Sequence, residues 1–246
     1  MATKRLRIFA GPNGSGKSTI FGAISRFFHC KYFVNADEIQ KNLKDKGYLN
    51  FDAYTIIVDQ ESFVEALRAS SLFDRMRYGQ DIAETLIIDK NKLSIPIDYV
   101  DSYFAAFISE YIRRSMLNIV TQFTIETVMS DARKIQYIQQ AKNLGYRIYL
   151  YYVSTKDVTI NIKRVEQRVQ LGGHSVPEEK IRSRYKRSLD NLYDVLKLCD
   201  RAYFFDNSGE DWQMVAEFDN GKLTLKDSSV PGWFNDSILS KLGDNQ

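Results

Sequence analysis

An α/β sandwich of three layers, with about five mainly parallel strands between helices, is predicted by two features of the chain. Short apolar runs alternate with longer amphipathic patterns along the 246 residues, and glycine or polar turn residues separate them. With 44% hydrophobic and 26% charged residues, the usage is that of a folded globular chain and excludes disorder. The length suits one large domain, read here as residues 1–246.

The first strand is Leu6 to Ala10, closed by a glycine-rich turn. Ser18 to Phe28 reads as a helix, Tyr32 to Asn35 as a second short strand, and Asp37 to Lys46 as a helix stopped by Gly47. Gln122 to Ile125 is the third strand, followed by a helix to Asn143 that ends at Gly145. Tyr146 to Val153, rich in aromatic and branched residues, is a buried fourth strand, and Ala202 to Phe205 is the fifth. Residues 48–120 exceed what a simple crossover needs and carry two amphipathic patterns, Gln60 to Met76 and Val100 to Leu117, so a helical cap is expected there. Met214 to Leu225 alternates around Asp219-Asn220-Gly221, which predicts a hairpin within a C-terminal extension, 209–246.

The formal charge of +3, from 34 basic and 31 acidic side chains, argues against nucleic acid as a partner and against a polybasic membrane anchor. Basic residues concentrate between Lys163 and Arg187, and that segment is either a solvated helix face or part of a site. Two cysteines, Cys30 and Cys199, form no CxxC pair, and no run approaches a signal-peptide core or a membrane span. A cytoplasmic protein is expected.

Residues 11 to 18, Gly11-Pro12-Asn13-Gly14-Ser15-Gly16-Lys17-Ser18, match GxxxxGK[ST] after an apolar strand and at the opening of a helix. Glycines at 11, 14 and 16 let backbone N–H groups converge on one point, and the following helix adds its positive end. This is the phosphate loop of a P-loop NTPase, with ATP bound by Gly11 to Thr19, Lys17 reaching the β and γ phosphates, and Ser18 placed to ligate Mg²⁺.

Asp37, after the second strand, is either a catalytic base or the N-cap of the next helix. Glu126, closing the third strand beside Thr127, is placed to orient water on Mg²⁺ or to bind a second substrate. Arg164 and Arg168 share a helix face by their spacing and lead into Gly172-Gly173-His174. Ser175 and Glu178 have capping-box spacing for the next helix. Together these make a lid over the phosphates. An ABC-type signature is excluded because Leu171-Gly172-Gly173-His174-Ser175 follows the acid-ended strand, and Asn91-Lys92-Leu93-Ser94 lacks the aspartate of a guanine motif.

The strings GPNGSGKST (11–19), NADEI (35–39), FTIETVMS (123–130), GYRIYLYYV (145–153), RVEQRVQLGGHSVPEEKIRSRY (164–185) and FDNS (205–208), in that order, resemble the zeta-toxin-like P-loop kinases and the related branch of predicted ABC-type ATPases or kinases. The resemblance implies that Asp37 acts as base on a sugar hydroxyl, Lys17 holds phosphate, Glu126 contacts substrate and Arg164 stabilises the transferring phosphoryl group. It also implies UDP-N-acetylglucosamine as an acceptor class and an antitoxin protein as a partner class. The chain departs from the toxins in two places. Thr127 directly follows Glu126 where they have Glu-x-Thr, and His174 stands where they carry a second lid arginine, so Arg168, Arg182 or Arg184 would replace it. The expected activity is ATP and Mg²⁺-dependent phosphoryl transfer to a hydroxyl of a small molecule, a sugar nucleotide first and a nucleoside or polynucleotide end second. An ATP-sensing module acting on a protein partner is the alternative.

Overall fold

The computed structural model describes residues 3–173, 175–227 and 229–243, so His174 lies outside the described residues. The chain opens with β1 (Arg5–Ala10), α1 (Lys17–Ile24), β2 (Phe33–Val34), α2 (Ala36–Lys46) and β3 (Tyr48–Asn50). Next come α3 (Gln60–Arg68), α4 (Gly79–Thr85), β4 (Ile87–Asp89), β5 (Lys92–Ser94) and α5 (Ser102–Met116). The second half runs β6 (Gln122–Thr127), α6 (Arg133–Asn143), β7 (Arg147–Ser154), α7 (Val158–Gln170), α8 (Glu178–Asp190), α9 (Leu192–Leu196), β8 (Arg201–Asp206), β9 (Gln213–Asp219) and β10 (Lys222–Leu225). These divide into two compact units, Met1–Cys30 with Glu126–Gln246, and Lys31–Ile125.

In the first unit β1, β7 and β8 run parallel, with Ile8 opposite Leu150 and Leu150 opposite Ala202. β9 joins β8 antiparallel and β10 closes the hairpin, giving the order β10-β9-β8-β7-β1. The hairpin turn is Asn220-Gly221, both at positive φ (47° and 93°), the conformation that Asn-Gly adopts most readily between twisted strands. Alternation along the parallel strands buries Leu6, Ile8, Ile148, Leu150, Ala202 and Phe204 on one face. The other face sets Phe9, Val153 and Phe205 against Ile20 of α1, with Phe21, Ile24 and Phe28 around them.

The helix after the phosphate loop is shorter than its apolar pattern predicts. It ends at Ile24, a 3₁₀ turn covers Ser25–Phe27, and Phe28 is extended. Phe28 turns back onto the sheet, its ring 6.4 Å from that of Phe9 and 4.5 Å from the Arg7 guanidinium. Packing there outweighs helical periodicity.

Helix α8 is tied to the sheet by buried polar groups. The Tyr152 hydroxyl lies 2.9 Å from Ser188 Oγ, which donates to Val128 O at 2.7 Å. Asn191 Nδ2 donates to Met129 O at 3.0 Å, so the turn after β6 hangs from the end of this helix.

In the second unit, β2 pairs parallel with β6 through Phe33 to Thr124 and Val34 to Ile125. Helix α2 buries Ile39 and Leu43, and α5 buries Phe104, Phe107, Ile108, Ile112 and Met116, with the two helices packed together. Phe63 of α3 meets Phe51, Phe107 and Tyr111 at ring distances of 5.8, 5.2 and 4.9 Å. A three-stranded antiparallel sheet, β3-β5-β4, accompanies these helices and was not foreseen from the sequence. Its strands are three residues long, too short for a period of two to register. What holds it in place is Asn91, in the turn between β4 and β5. Its side chain donates to Ile56 O at 2.7 Å and accepts from Val58 N at 3.0 Å, which fixes the segment before α3. Among the described residues no helix is long and apolar enough to cross a membrane.

Replacing Ser188 with Ala leaves the Val128 carbonyl and the buried Tyr152 hydroxyl each short of a partner. The expected loss is about 1–3 kcal/mol of unfolding free energy, read as a lower urea midpoint at unchanged slope.

Candidate active site

The phosphate loop lies at the C-terminal end of β1, pressed against two backbone carbonyls and one side-chain amide. A Cβ on Gly11 would stand 2.0 Å from Val153 O, one on Gly14 2.5 Å from Asn161 O, and one on Gly16 2.0 Å from Asn207 Nδ2. All three have positive φ, at 146°, 74° and 93°. These glycines are therefore required twice over, by dihedral and by space. The first intrahelical bond of α1 is Ile20 N to Gly16 O at 3.1 Å. Earlier N–H groups of that turn lack intrahelical acceptors by construction, which makes the turn a site for an anion.

Two asparagines hold the loop from outside it. Asn207 Nδ2 donates to Ser15 O at 2.9 Å, and Asn161 Nδ2 donates to Asn13 O at 2.7 Å. Asn161 is fully buried and its Oδ1 pairs with the Thr155 hydroxyl. Neither asparagine was singled out from the sequence. FDNS (205–208) carried the only signal for one of them, since Asn207 follows a strand end where ligands collect in parallel sheets.

Lys17 is buried at 8% exposure. Its Nζ donates to Pro12 O at 3.0 Å and stands 3.8 Å from Glu126 Oε1. The loop lysine and the strand-end acid are thus brought together. Thr127 Oγ1 instead accepts from Met129 N at 3.3 Å, closing a turn in which Met129 has φ 59°. The Ser15 hydroxyl is fully buried with no hydrogen-bond partner, a state that costs about 1–3 kcal/mol unless something answers it. A glycine cradle, an orphaned hydroxyl and a buried ammonium fit a phosphate chain. No group of three or more His, Cys, Asp or Glu side chains among the described residues could hold a metal. Mg²⁺ would therefore depend on the exposed Ser18 hydroxyl and on phosphate oxygens, the donor set this ion commonly takes.

Of the lid arginines, Arg164 is half-buried and committed to the loop after β8. Its Nη1 donates to Asn207 O at 2.7 Å and its Nη2 to Gly209 O at 3.3 Å. Arg168 is exposed on α7, and Arg182 pairs with Glu178 at 2.7 Å on the surface. Arg184 reaches the phosphate loop, with Nη1 3.4 Å from Asn13 Oδ1. The expected capping box does not form. Glu178 is the first residue of α8, the preceding Pro177 offers no side-chain cap, and the Glu178 carboxylate turns to Arg182 instead.

Asp37 belongs to the second unit, in the first turn of α2. The N-cap of that helix is Asn35, whose Oδ1 accepts from Asp37 N at 2.7 Å and Glu38 N at 3.4 Å. The capping alternative for Asp37 is therefore corrected, because its neighbour two residues earlier supplies the cap. Partial desolvation raises Glu38 above the usual carboxylate range against the pull of Lys41, and burial together with Glu38 pushes the Tyr54 phenol up to about 12.

No family model matches the chain. A curated relative, an uncharacterized protein of Haemophilus influenzae, is 35% identical over 63 residues, which are 26% of this chain and 45% of the relative. A chain of the AvrRxo1-ORF1:AvrRxo1-ORF2 complex crystallised with ATP aligns with 98% of this chain and 63% of its own length, at 15% identity and a TM-score of 0.59. A chain from the PezAT chromosomal toxin-antitoxin system of Streptococcus pneumoniae aligns with 97% of this chain and 78% of its own, at 14% identity and a TM-score of 0.51. The chain thus spans less than two thirds of the AvrRxo1 chain and under half of the curated relative. These likenesses show the fold alone, an α/β arrangement shared with those two chains.

Proposed function

We propose that the chain is an ATP-dependent kinase that moves the γ-phosphoryl group to a hydroxyl of a small molecule, with a sugar nucleotide such as UDP-N-acetylglucosamine as the leading acceptor. The observation that carries this reading is the buried Lys17 ammonium, 3.8 Å from Glu126 at the mouth of a glycine loop whose Ser15 hydroxyl has no partner. Lys17 would hold the β and γ phosphates, and the backbone of Gly11 to Thr19 would line them. Ser18 would hold Mg²⁺, which would neutralise charge on the phosphates. Glu126, 3.8 Å from Lys17, and Thr127 next to it in the chain are the candidate contacts to the acceptor.

Asp37 is the proposed proton acceptor. As the acceptor hydroxyl oxygen forms its bond to the γ phosphorus, its proton passes to the Asp37 carboxylate and the bond from phosphorus to the ADP oxygen breaks. Asn35, two residues earlier, is the cap of α2, so the capping role does not compete with this one. ATP as the nucleotide is supported by the ATP in the AvrRxo1 crystals. An antitoxin protein as partner is supported by the PezAT likeness, which comes from a toxin-antitoxin system.

Incubation with Mg-ATP and UDP-N-acetylglucosamine, or with a metabolite extract, followed by ³¹P NMR should reveal a new phosphomonoester. Lys17→Ala should weaken Mg-ATP binding in calorimetry and abolish that product, and unchanged affinity with unchanged turnover would remove the loop from the mechanism. Asp37→Asn should keep the melting temperature and Mg-ATP affinity while transfer falls roughly 10²- to 10⁴-fold, the usual worth of a general base. Full activity in that variant would take Asp37 out of the reaction.

A further inference from the structure

Arg164 and Arg184 bear on the phosphate loop in different ways. Arg164 sits on α7, and its guanidinium spans two carbonyls of one loop, Asn207 O at 2.7 Å and Gly209 O at 3.3 Å. The side chain of the same Asn207 donates to Ser15 O inside the phosphate loop at 2.9 Å, and Asn207 N donates to Ser154 O at 2.8 Å. Arg164 therefore acts on the cradle at one remove, through the residue that fixes its backbone. A guanidinium drawn from both carbonyls to meet a phosphate would release that brace.

Arg184 has the opposite setting. It projects from α8 to the side chain of Asn13, the third residue of the phosphate loop, at 3.4 Å. Its backbone is fixed by its neighbours. Tyr185 donates to Thr155 O at 2.6 Å, and Ser188 anchors the next turn to Val128 O at 2.7 Å. The bond to Asn13 joins a cation to a neutral amide, and a phosphate oxygen at the same loop would be a stronger, charge-assisted acceptor for this guanidinium. Arg168 is exposed and Arg182 is engaged by Glu178, so neither is placed like Arg184.

We infer that Arg184 is the arginine that meets the γ-phosphoryl group, and that Arg164 is a positioning residue that holds the phosphate loop through Asn207. This assignment rests on the kinase reading above and supplies the lid arginine for which the sequence offered three candidates. It also moves the phosphoryl contact away from the residue to which the family resemblance assigned it.

Nucleotide binding separates the two roles without any need for the acceptor. Calorimetry with Mg-AMPPNP and with Mg-ADP compares a nucleotide that has a γ-phosphate with one that lacks it. Arg184→Ala should weaken AMPPNP by about 10- to 100-fold, the worth of a charge-assisted hydrogen bond, and leave ADP within about threefold. Alanine is a better helix former than arginine, so α8 should persist. Arg164→Ala should weaken both nucleotides by the same factor, and Arg164→Lys, which keeps one donor for Asn207 O, should recover part of it. Melting temperatures well above the assay temperature exclude unfolding as the cause. A wild-type chain that binds neither nucleotide overturns the proposed function and this assignment together. Wild-type binding combined with a selective AMPPNP loss in the Arg164 variant, or with no selective loss in the Arg184 variant, overturns the assignment alone.

Discussion

Everything in the candidate site depends on the closeness with which one loop is packed against the strand ends and the helix around it. Gly11, Gly14 and Gly16 each face an atom of a different element, Val153 O at the end of β7, Asn161 O in α7 and Asn207 Nδ2 after β8, at distances that leave no room for a methyl group. Such proximity requires the ends of β1, β7 and β8 to lie level. Their parallel register does this, with Ala10 beside Tyr152 and Ser154 beside Asp206. The loop is thus a product of sheet register as much as of its own glycines. A slip of one residue would reverse every side chain of the slipped strand between its two faces and remove the backbone atoms that shape the cradle.

The polar groups around the loop follow from that packing. Once backbone carbonyls are crowded against a loop, each needs a donor, since an unanswered buried carbonyl is costly. Asn161 and Asn207 supply donors to Asn13 O and Ser15 O, and both are buried amides with few other groups within reach. Lys17 answers Pro12 O in the same way. Ser15 Oγ is the exception, buried and unanswered, and it lies in the loop itself. A stability-driven design would remove such a hydroxyl, so its presence at this position speaks for a ligand.

Much of this fold was legible because its strands are long and strongly patterned. The runs around Ile8, Leu150 and Phe204 are apolar on one face over five or more residues, and all three are strands within one or two residues of the expected bounds. The three-residue strands near Leu49, Ile88 and Leu93 carry no such signal. Asn91, whose side chain fixes the segment before α3, looks in sequence like any turn asparagine. The phosphate loop could be read because its motif coincides with a strand end and a helix start. What could not be read were contacts across more than a hundred residues, such as Asn207 to Ser15 and Arg184 to Asn13. Local spacing also misled where two residues competed for one task. Ser175 and Glu178 have capping-box spacing, yet Glu178 finds Arg182 four residues on, and Asn35 rather than Asp37 caps α2.

Helix α8 shows how stabilisation is distributed around the site. Its first turn has no side-chain cap, and its surface pair Glu178 with Arg182 is exposed, a kind of contact worth at most about 1 kcal/mol. Its later turns carry Tyr185 to Thr155 O, Ser188 to Val128 O and the following Asn191 to Met129 O, all at least partly removed from water. Hydrogen bonds shielded in this way contribute more than exposed ones, because the alternative is an unsatisfied group in a low dielectric. The helix is therefore held by shielded hydrogen bonds at the end that touches the turn after Glu126, and near its start by Ile181, buried against Ile162 and Val165 of α7. Arg184 lies between these two anchors, so its reach to Asn13 starts from a backbone held on both sides.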